Sequence, residues 1–161
     1  MKTDPLARDL MVRPVRRVTS RTAVRDAADF LRRHAISGAP VEDEHGRWIG
    51  VFSLRDIAGA VTRSTAEPVD RSLEAREAVP AAGNPESVDL RSVQVREVMS
   101  PGMVTVFPDS TLSEVIRTLV SAGVHRVFVI HESLGTLEGV ITAMDVLRHL
   151  ESVRERAATR S

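Results

Sequence analysis

Residues 139–145 read Gly139-Val140-Ile141-Thr142-Ala143-Met144-Asp145, and residues 50–56 read Gly50-Val51-Phe52-Ser53-Leu54-Arg55-Asp56. The two stretches share one pattern: a glycine, two apolar residues, a hydroxyl residue and, three places on, an aspartate. An apolar run that meets a Ser/Thr-x-x-Asp pattern is where a strand gives way to a capped helix. Such a match at two places calls for a search for internal repetition.

Laid over one another, the flanks of the two stretches agree. Asp9-Leu10-Met11 falls on Glu97-Val98-Met99, Val18 on Val106, Val24 on Leu112, Asp26 on Glu114, Leu31 on Leu119, Ile36 on Val124 and Val41 on Val129. After one added residue in the second copy, Gly46 meets Gly135, Gly50 meets Gly139 and Asp56 meets Asp145. The chain is a tandem duplication.

Each copy predicts β-α-β-β-α. A short extended run (Val15 to Val18, Met103 to Val106) precedes a helix with apolar residues at Val24, Ala27, Ala28 and Leu31, or at Leu112, Val115, Ile116 and Leu119. These are the i, i+3, i+4, i+7 positions of one helical face. Thr111 with Glu114 forms a capping-box pattern, and Thr22 offers the cap in the first copy. Gly123 suits a left-handed helix end; its counterpart, Ala35, has to avoid that conformation or accept strain. Two strands joined by a polar turn follow: Ala39 to Val41 with Trp48 to Phe52, and Val127 to Ile130 with Leu137 to Ile141. The fold class is therefore α/β (α+β), with two β-α-β-β-α units packed sheet to sheet. A single unit of this size buries too little surface to stand alone.

The copies occupy residues 8–60 and 95–150, with a connection at 61–94 and a tail at 151–161. The connection carries Pro68, Pro80, Gly83 and Pro85 and more acids than bases, and Glu67 to Val79 allows a short helix. The tail extends the last helix before fraying.

Composition narrows the function. Of 161 residues, 22 are Lys or Arg and 22 are Asp or Glu, so the chain has no net charge and lacks the basic excess typical of nucleic-acid binders. Cysteine is absent, which removes disulfides, thiolate metal sites and cysteine nucleophiles. The five histidines have no metal-binding spacing, and no glycine-rich phosphate loop or nucleophile–base pair is present. No apolar run is long enough to span a bilayer. We expect a cytoplasmic, non-enzymatic protein with no catalytic residues and no metal.

Together these residues resemble a cystathionine β-synthase (CBS) domain pair, or Bateman module. The two Gly-x-x-[Ser/Thr]-x-x-Asp stretches, the openings Asp9-Leu10-Met11 and Glu97-Val98-Met99, and Ile36-Ser37-Gly38-Ala39-Pro40-Val41 carry the resemblance. It implies pseudo-twofold symmetry, clefts between the copies for an adenosine-containing ligand (AMP, ADP, ATP or S-adenosylmethionine), homodimerisation and a regulated partner protein.

Two readings fit the Ser/Thr-Asp pairs. Each can simply cap its helix. Each can also present a carboxylate to ribose hydroxyls and a hydroxyl to phosphate, at a helix end that favours anions. The resemblance points to the second copy as the better ligand site, with Val104, Thr105, Arg126, Phe128, Thr142 and Asp145. His125-Arg126 before its strand is similar to nucleotide-binding copies in the family. Arg126 suits phosphate, with His125, Arg16 and Arg17 as further candidates. Phe128 either stacks on a base or fills the core. The first copy, with Ala39, Pro40, Ser53 and Asp56, is the weaker site, because Ser37 and Gly38 bring no charge where the second copy has His125 and Arg126. The leading reading is an adenine-nucleotide sensor; the alternatives are a scaffolding dimer with degenerate clefts and an S-adenosylmethionine-binding module.

Overall fold

The structure, a computed structural model, describes residues 4–65 and 89–159. The helix considered at Glu67 to Val79 lies outside the described residues. The architecture is mixed α/β with two sheets, and the chain divides into two compact units. The first comprises residues 17–65 and 89–101, and the second residues 4–16 and 102–159.

In the first unit, β1 (Val18–Thr19) leads through α2 (Val24–Arg33) to β2 (Gly38–Glu42), which turns back as β3 (Trp48–Ser53) and runs into α3 (Leu54–Thr65). The helical crossover leaves β1 parallel to β2, with Val18 opposite Val41. The hairpin leaves β3 antiparallel to β2. The sheet is completed by β4 (Ser100–Pro101), which pairs with β3 after the short helix α4 (Val95–Val98). The core joins Val18, Val24, Ala27, Leu31, Ala39, Val41 and Phe52 to Val95.

The second unit opens with another short helix, α1 (Ala7–Leu10), and continues with β5 (Thr105–Val106), α5 (Leu112–Ala122), β6 (Arg126–Ile130), β7 (Leu137–Thr142) and α6 (Ala143–Ala158). Thr105 pairs with Phe128 in parallel, and β7 returns antiparallel to β6. Its core joins Ala7 to Val106, Leu112, Val115, Leu119, Val127, Val129, Ile141 and Val146.

Thus the opening of each repeat completes the core of the other. Ala7 N–H donates to Ser110 C=O at 2.7 Å, as Val95 N–H donates to Thr22 C=O at 2.9 Å. Leu112 N–H reaches Pro5 C=O at 2.8 Å, as Val24 N–H reaches Val93 C=O at 2.8 Å. These bonds satisfy N–H groups at the starts of α1, α2, α4 and α5 that have no partner within their own helix.

The exchange also explains the glycine that begins each motif. A Cβ on Gly139 would lie 2.7 Å from Met11 Cβ and Cγ; one on Gly50 would strike the Ser100 carbonyl and lie 3.0 Å from Met99 Sδ. The methionine that opens one repeat rests against the glycine of the other.

Local expectations fare unevenly. Thr111 caps α5 and pairs with Glu114, and Gly123 ends that helix at φ 62°. Ala35 accepts the strained alternative at φ 51°. The first-copy cap is a correction: Ala23, not Thr22, occupies the N-cap of α2 and supplies no side-chain bond. Thr22 Oγ1 instead lies 2.8 Å from Thr19 Oγ1. The leading strands are also shorter than expected, beginning at Val18 and Thr105. The tail extends α6 through Ala158.

Candidate adenosine site

In the second unit β7 passes directly into α6, so Thr142 is both the last strand residue and the helix N-cap. Its N–H donates to Asp145 Oδ2 at 2.9 Å and its Oγ1 donates to the same oxygen at 2.6 Å. In return Asp145 N–H donates to Thr142 Oγ1 at 3.3 Å. The capping reading is therefore realised. It leaves Asp145 Oδ1 outside the cap, where it meets Arg148 at 3.3 Å; the Arg148 side chain is 70% exposed. The Asp145 side chain is itself 16% exposed, but its partner reaches it from solvent on a long stem, and such a contact is readily exchanged for another donor.

Sheet register brings the other candidates to the same edge. Arg126 stands opposite Thr142 across β6 and β7. His125 C=O accepts from Ala143 N–H at 3.0 Å, which ties the start of β6 to the first turn of α6. On the other side of β6, Phe128 N–H donates to Val104 C=O at 2.9 Å, which seats Val104 and Thr105 beside it. Val104, Thr105, Arg126, Thr142 and Asp145 thus gather where β5 and β6 begin and β7 ends. Arg126 is half-buried, and desolvation pushes its guanidinium below its ordinary value; arginine nonetheless stays charged at neutral pH. His125 and Thr105 are exposed, whereas Phe128 is only 1% exposed.

The first unit repeats the geometry with different outcomes. Ser53 N–H and Oγ each donate to Asp56 Oδ2 at 2.7 Å. Here the other oxygen is also taken, because Ser100 Oγ donates to Asp56 Oδ1 at 2.9 Å. Asp56 is 8% exposed, and Ala39 and Pro40 are buried. Gly38 stands opposite Ser53, at the place that Arg126 holds in the second unit. Arg17 pairs with Glu42 at 3.2 Å, and Arg16 is exposed.

Ser100 and Arg148 were not singled out by the sequence. The signal for Ser100 is the residue after each opening methionine, which is Ser100 in one copy and Val12 in the other. The structure makes the two equivalent: Ser100 pairs with Val51, and Val12 with Val140.

Among the described residues no group of three or more His, Cys, Asp or Glu is placed to hold a metal ion, and no helix is long and apolar enough to cross a membrane.

A duplicated β-α-β-β-α unit, with a hydroxyl–aspartate pair at the start of each final helix, defines a class of paired modules. The chain belongs to the CBS domain family, whose signature matches residues 7–63 and 95–152. It is 29% identical over 150 residues to the SNF1-related protein kinase regulatory subunit gamma-like PV42a of Arabidopsis thaliana, a match that covers 84% of this chain and 38% of that relative. Its fold is similar to the CBS domain pair of protein MJ0100, solved in complex with 5′-methylthioadenosine and S-adenosyl-L-methionine. That likeness has a TM-score of 0.69 and 20% identity, and covers 93% of this chain and 98% of the other. It is also similar to CBSX2, solved in complex with AMP, with a TM-score of 0.63, 19% identity, and coverage of 92% and 98%.

Proposed function

We propose that this chain is a non-enzymatic regulatory module that binds an adenine nucleotide (AMP, ADP or ATP) through its second copy, works as a homodimer and signals to a partner protein by a shift in conformation. One observation carries the reading: Asp145 keeps an oxygen outside its helix cap, on the same sheet edge as Arg126. A carboxylate oxygen accepts from the hydroxyls of a ribose. Exchanging the exposed Arg148 contact for those hydroxyls leaves Thr142 capping α6. Arg126 offers a planar pair of donors to phosphate, and the positive end of α6 favours the same charge. In this reading the base lies beside the backbone of Val104 and Thr105, which runs along β6.

The complexes named for the structural neighbours support an adenosine-containing ligand. Between a nucleotide and S-adenosylmethionine, Arg126 favours the anionic phosphate over a cationic sulfonium. Ligand binding acts on a partner only through unequal affinity for two conformations.

Calorimetric titration with AMP, ADP, ATP and S-adenosylmethionine tests this directly. A nucleotide bound more tightly than about 100 µM, or roughly −5.5 kcal/mol, is the expected result. Replacing Arg126→Gln should weaken AMP about tenfold or more and leave adenosine unaffected, as loss of a charge-assisted bond requires. Silence from all four ligands on folded, ligand-free protein would leave the scaffolding dimer in its place.

A further inference from the structure

We infer that Ser100 decides which of the two copies takes a ligand, by acting as a built-in substitute for a ribose hydroxyl on Asp56. The inference deepens the proposed function and rests on its assignment of ribose recognition to the motif aspartate. A ribose presents hydroxyl donors to a carboxylate, and in the first unit one such donor is already in place. Ser100 Oγ donates to Asp56 Oδ1 at 2.9 Å while Ser53 holds Oδ2 through both its N–H and its hydroxyl. Three of the roughly four acceptor positions on a carboxylate are filled, as on Asp145, but here all three donors belong to residues of the sheet, and the residue is almost wholly buried.

The plug is held by backbone, not by a flexible stem. Ser100 belongs to β4, where it is paired to Val51 while Pro101 is paired to Gly50. A ligand hydroxyl would have to displace a donor carried on a paired strand. In the second unit the equivalent strand position is Val12, which pairs with Val140 and has no hydroxyl to offer. Among the described residues, Asp145 Oδ1 meets the long, exposed side chain of Arg148. The difference between a closed and an open aspartate therefore lies in one residue of the opposite repeat's opening, not in the motif itself.

The first site, once opened, would also differ in chemistry. Gly38 stands where Arg126 stands in the second copy. An unplugged first site would accordingly recognise the nucleoside portion with little preference for a phosphate.

The test is calorimetric titration of the full chain with AMP and with adenosine, comparing wild type, Ser100→Val and Ser100→Val combined with Asp145→Ala. Valine copies the residue that the second unit tolerates at the same strand position; Ser100→Ala serves as the second variant should valine disturb β4. Wild type is expected to bind through one site, and each Ser100 variant to gain another. The combined variant should keep the gained site, with affinities for AMP and adenosine within a few-fold of each other. A folded Ser100→Val and a folded Ser100→Ala that both bind as wild type does would overturn the inference while leaving the nucleotide reading intact. Two sites in wild type would overturn it as well, since the first copy would already be open. No binding to wild type counts against the proposed function, and a ligand gained only on replacing Ser100 would still uphold the plug.

Discussion

In the first unit, Asp56 is buried with donors from Ser53 and Ser100 on both of its oxygens; in the second, Asp145 shares one oxygen with Thr142 and turns the other toward a solvent-exposed arginine. The motif residues are the same aspartate three places after a hydroxyl, at the start of the same helix. What separates them is the strand that arrives from elsewhere, carrying Ser100 to one and Val12 to the other. A motif thus specifies the local cap, whereas the tertiary neighbour sets whether the cap has acceptor capacity to spare. The other asymmetries follow the same line: Arg126 against Gly38, a glycine helix end against Ala35, and Thr111 against Ala23 as caps.

The sharpest way to break the comparison is to attack the contact that both units share. Gly50→Ala sets a Cβ against the Ser100 carbonyl, which backbone pairing holds in place, whereas Gly139→Ala meets the side chain of Met11. Overpacking of this kind costs about 1–3 kcal/mol, and Gly50→Ala should fall at the upper end and exceed Gly139→Ala. Urea denaturation of the two variants gives the ranking; equal losses would show that both methionine contacts yield alike.

The aspartates should separate affinity from stability. Asp145→Ala is expected to weaken nucleotide about tenfold or more, a loss of at least about 1.4 kcal/mol. Asp56→Ala should leave nucleotide affinity within a few-fold but destabilise the fold by about 1–3 kcal/mol, because the Ser53 and Ser100 donors lose their acceptor. The same pair of variants measured by titration and by denaturation checks both halves. A loss of affinity in Asp56→Ala equal to that in Asp145→Ala would erase the distinction drawn between the copies.

A smaller effect is expected at the helix ends. Ala35, at φ 51°, pays the left-handed penalty that Gly123 escapes. Ala35→Gly should raise stability, and Gly123→Ala lower it, each by about 1 kcal/mol. Thermal denaturation of the two reads the sign.

The smallest lies in the hairpin turns. Asp43 accepts from Arg47 N–H at 2.9 Å and from His45 N–H at 2.8 Å, and pairs with the Arg47 guanidinium at 2.7 Å. The Arg47 backbone bond leads in holding its carboxyl at about 2, below the ordinary 3.8. A carboxyl depressed on folding stabilises above its ordinary value, and the contribution disappears as pH falls through the folded one. The gap in melting temperature between wild type and Asp43→Ala should therefore narrow as pH falls from about 5 to about 2. At the corresponding place in the second hairpin, His131 Nδ1 accepts from Ser133 and Leu134 N–H, both at 3.3 Å.

Much of this was legible in the sequence because the information was local. The spacing of Val24, Ala27 and Leu31 marks a buried helical face, and Thr111-Glu114 and Gly123 mark the ends of α5. Thr142, Asp145 and Arg126 are gathered into one candidate site by the family resemblance, and the sheet register sets Arg126 opposite Thr142. The cap at Ala23 was not legible: it depends on the backbone partner Gln94, far along the chain. Nor was the plug on Asp56, which joins residues 44 positions apart. Nor does the sequence show that Ala7 and Val95 each enter the core of the other repeat.

That crossed arrangement has a consequence for how such a chain can be cut and how it can arise. A fragment trimmed to one repeat, such as residues 8–60, keeps an opening that belongs elsewhere and lacks Val95; residues 17–101 hold every described member of one core. A lone ancestral repeat would have found its missing piece only in another molecule, by domain swapping. Tandem fusion turns that encounter between molecules into one within a chain, which raises the effective concentration of the missing piece. Duplication here secures an exchange as well as a second copy, and it leaves each half free to vary the residue that it lends to its neighbour.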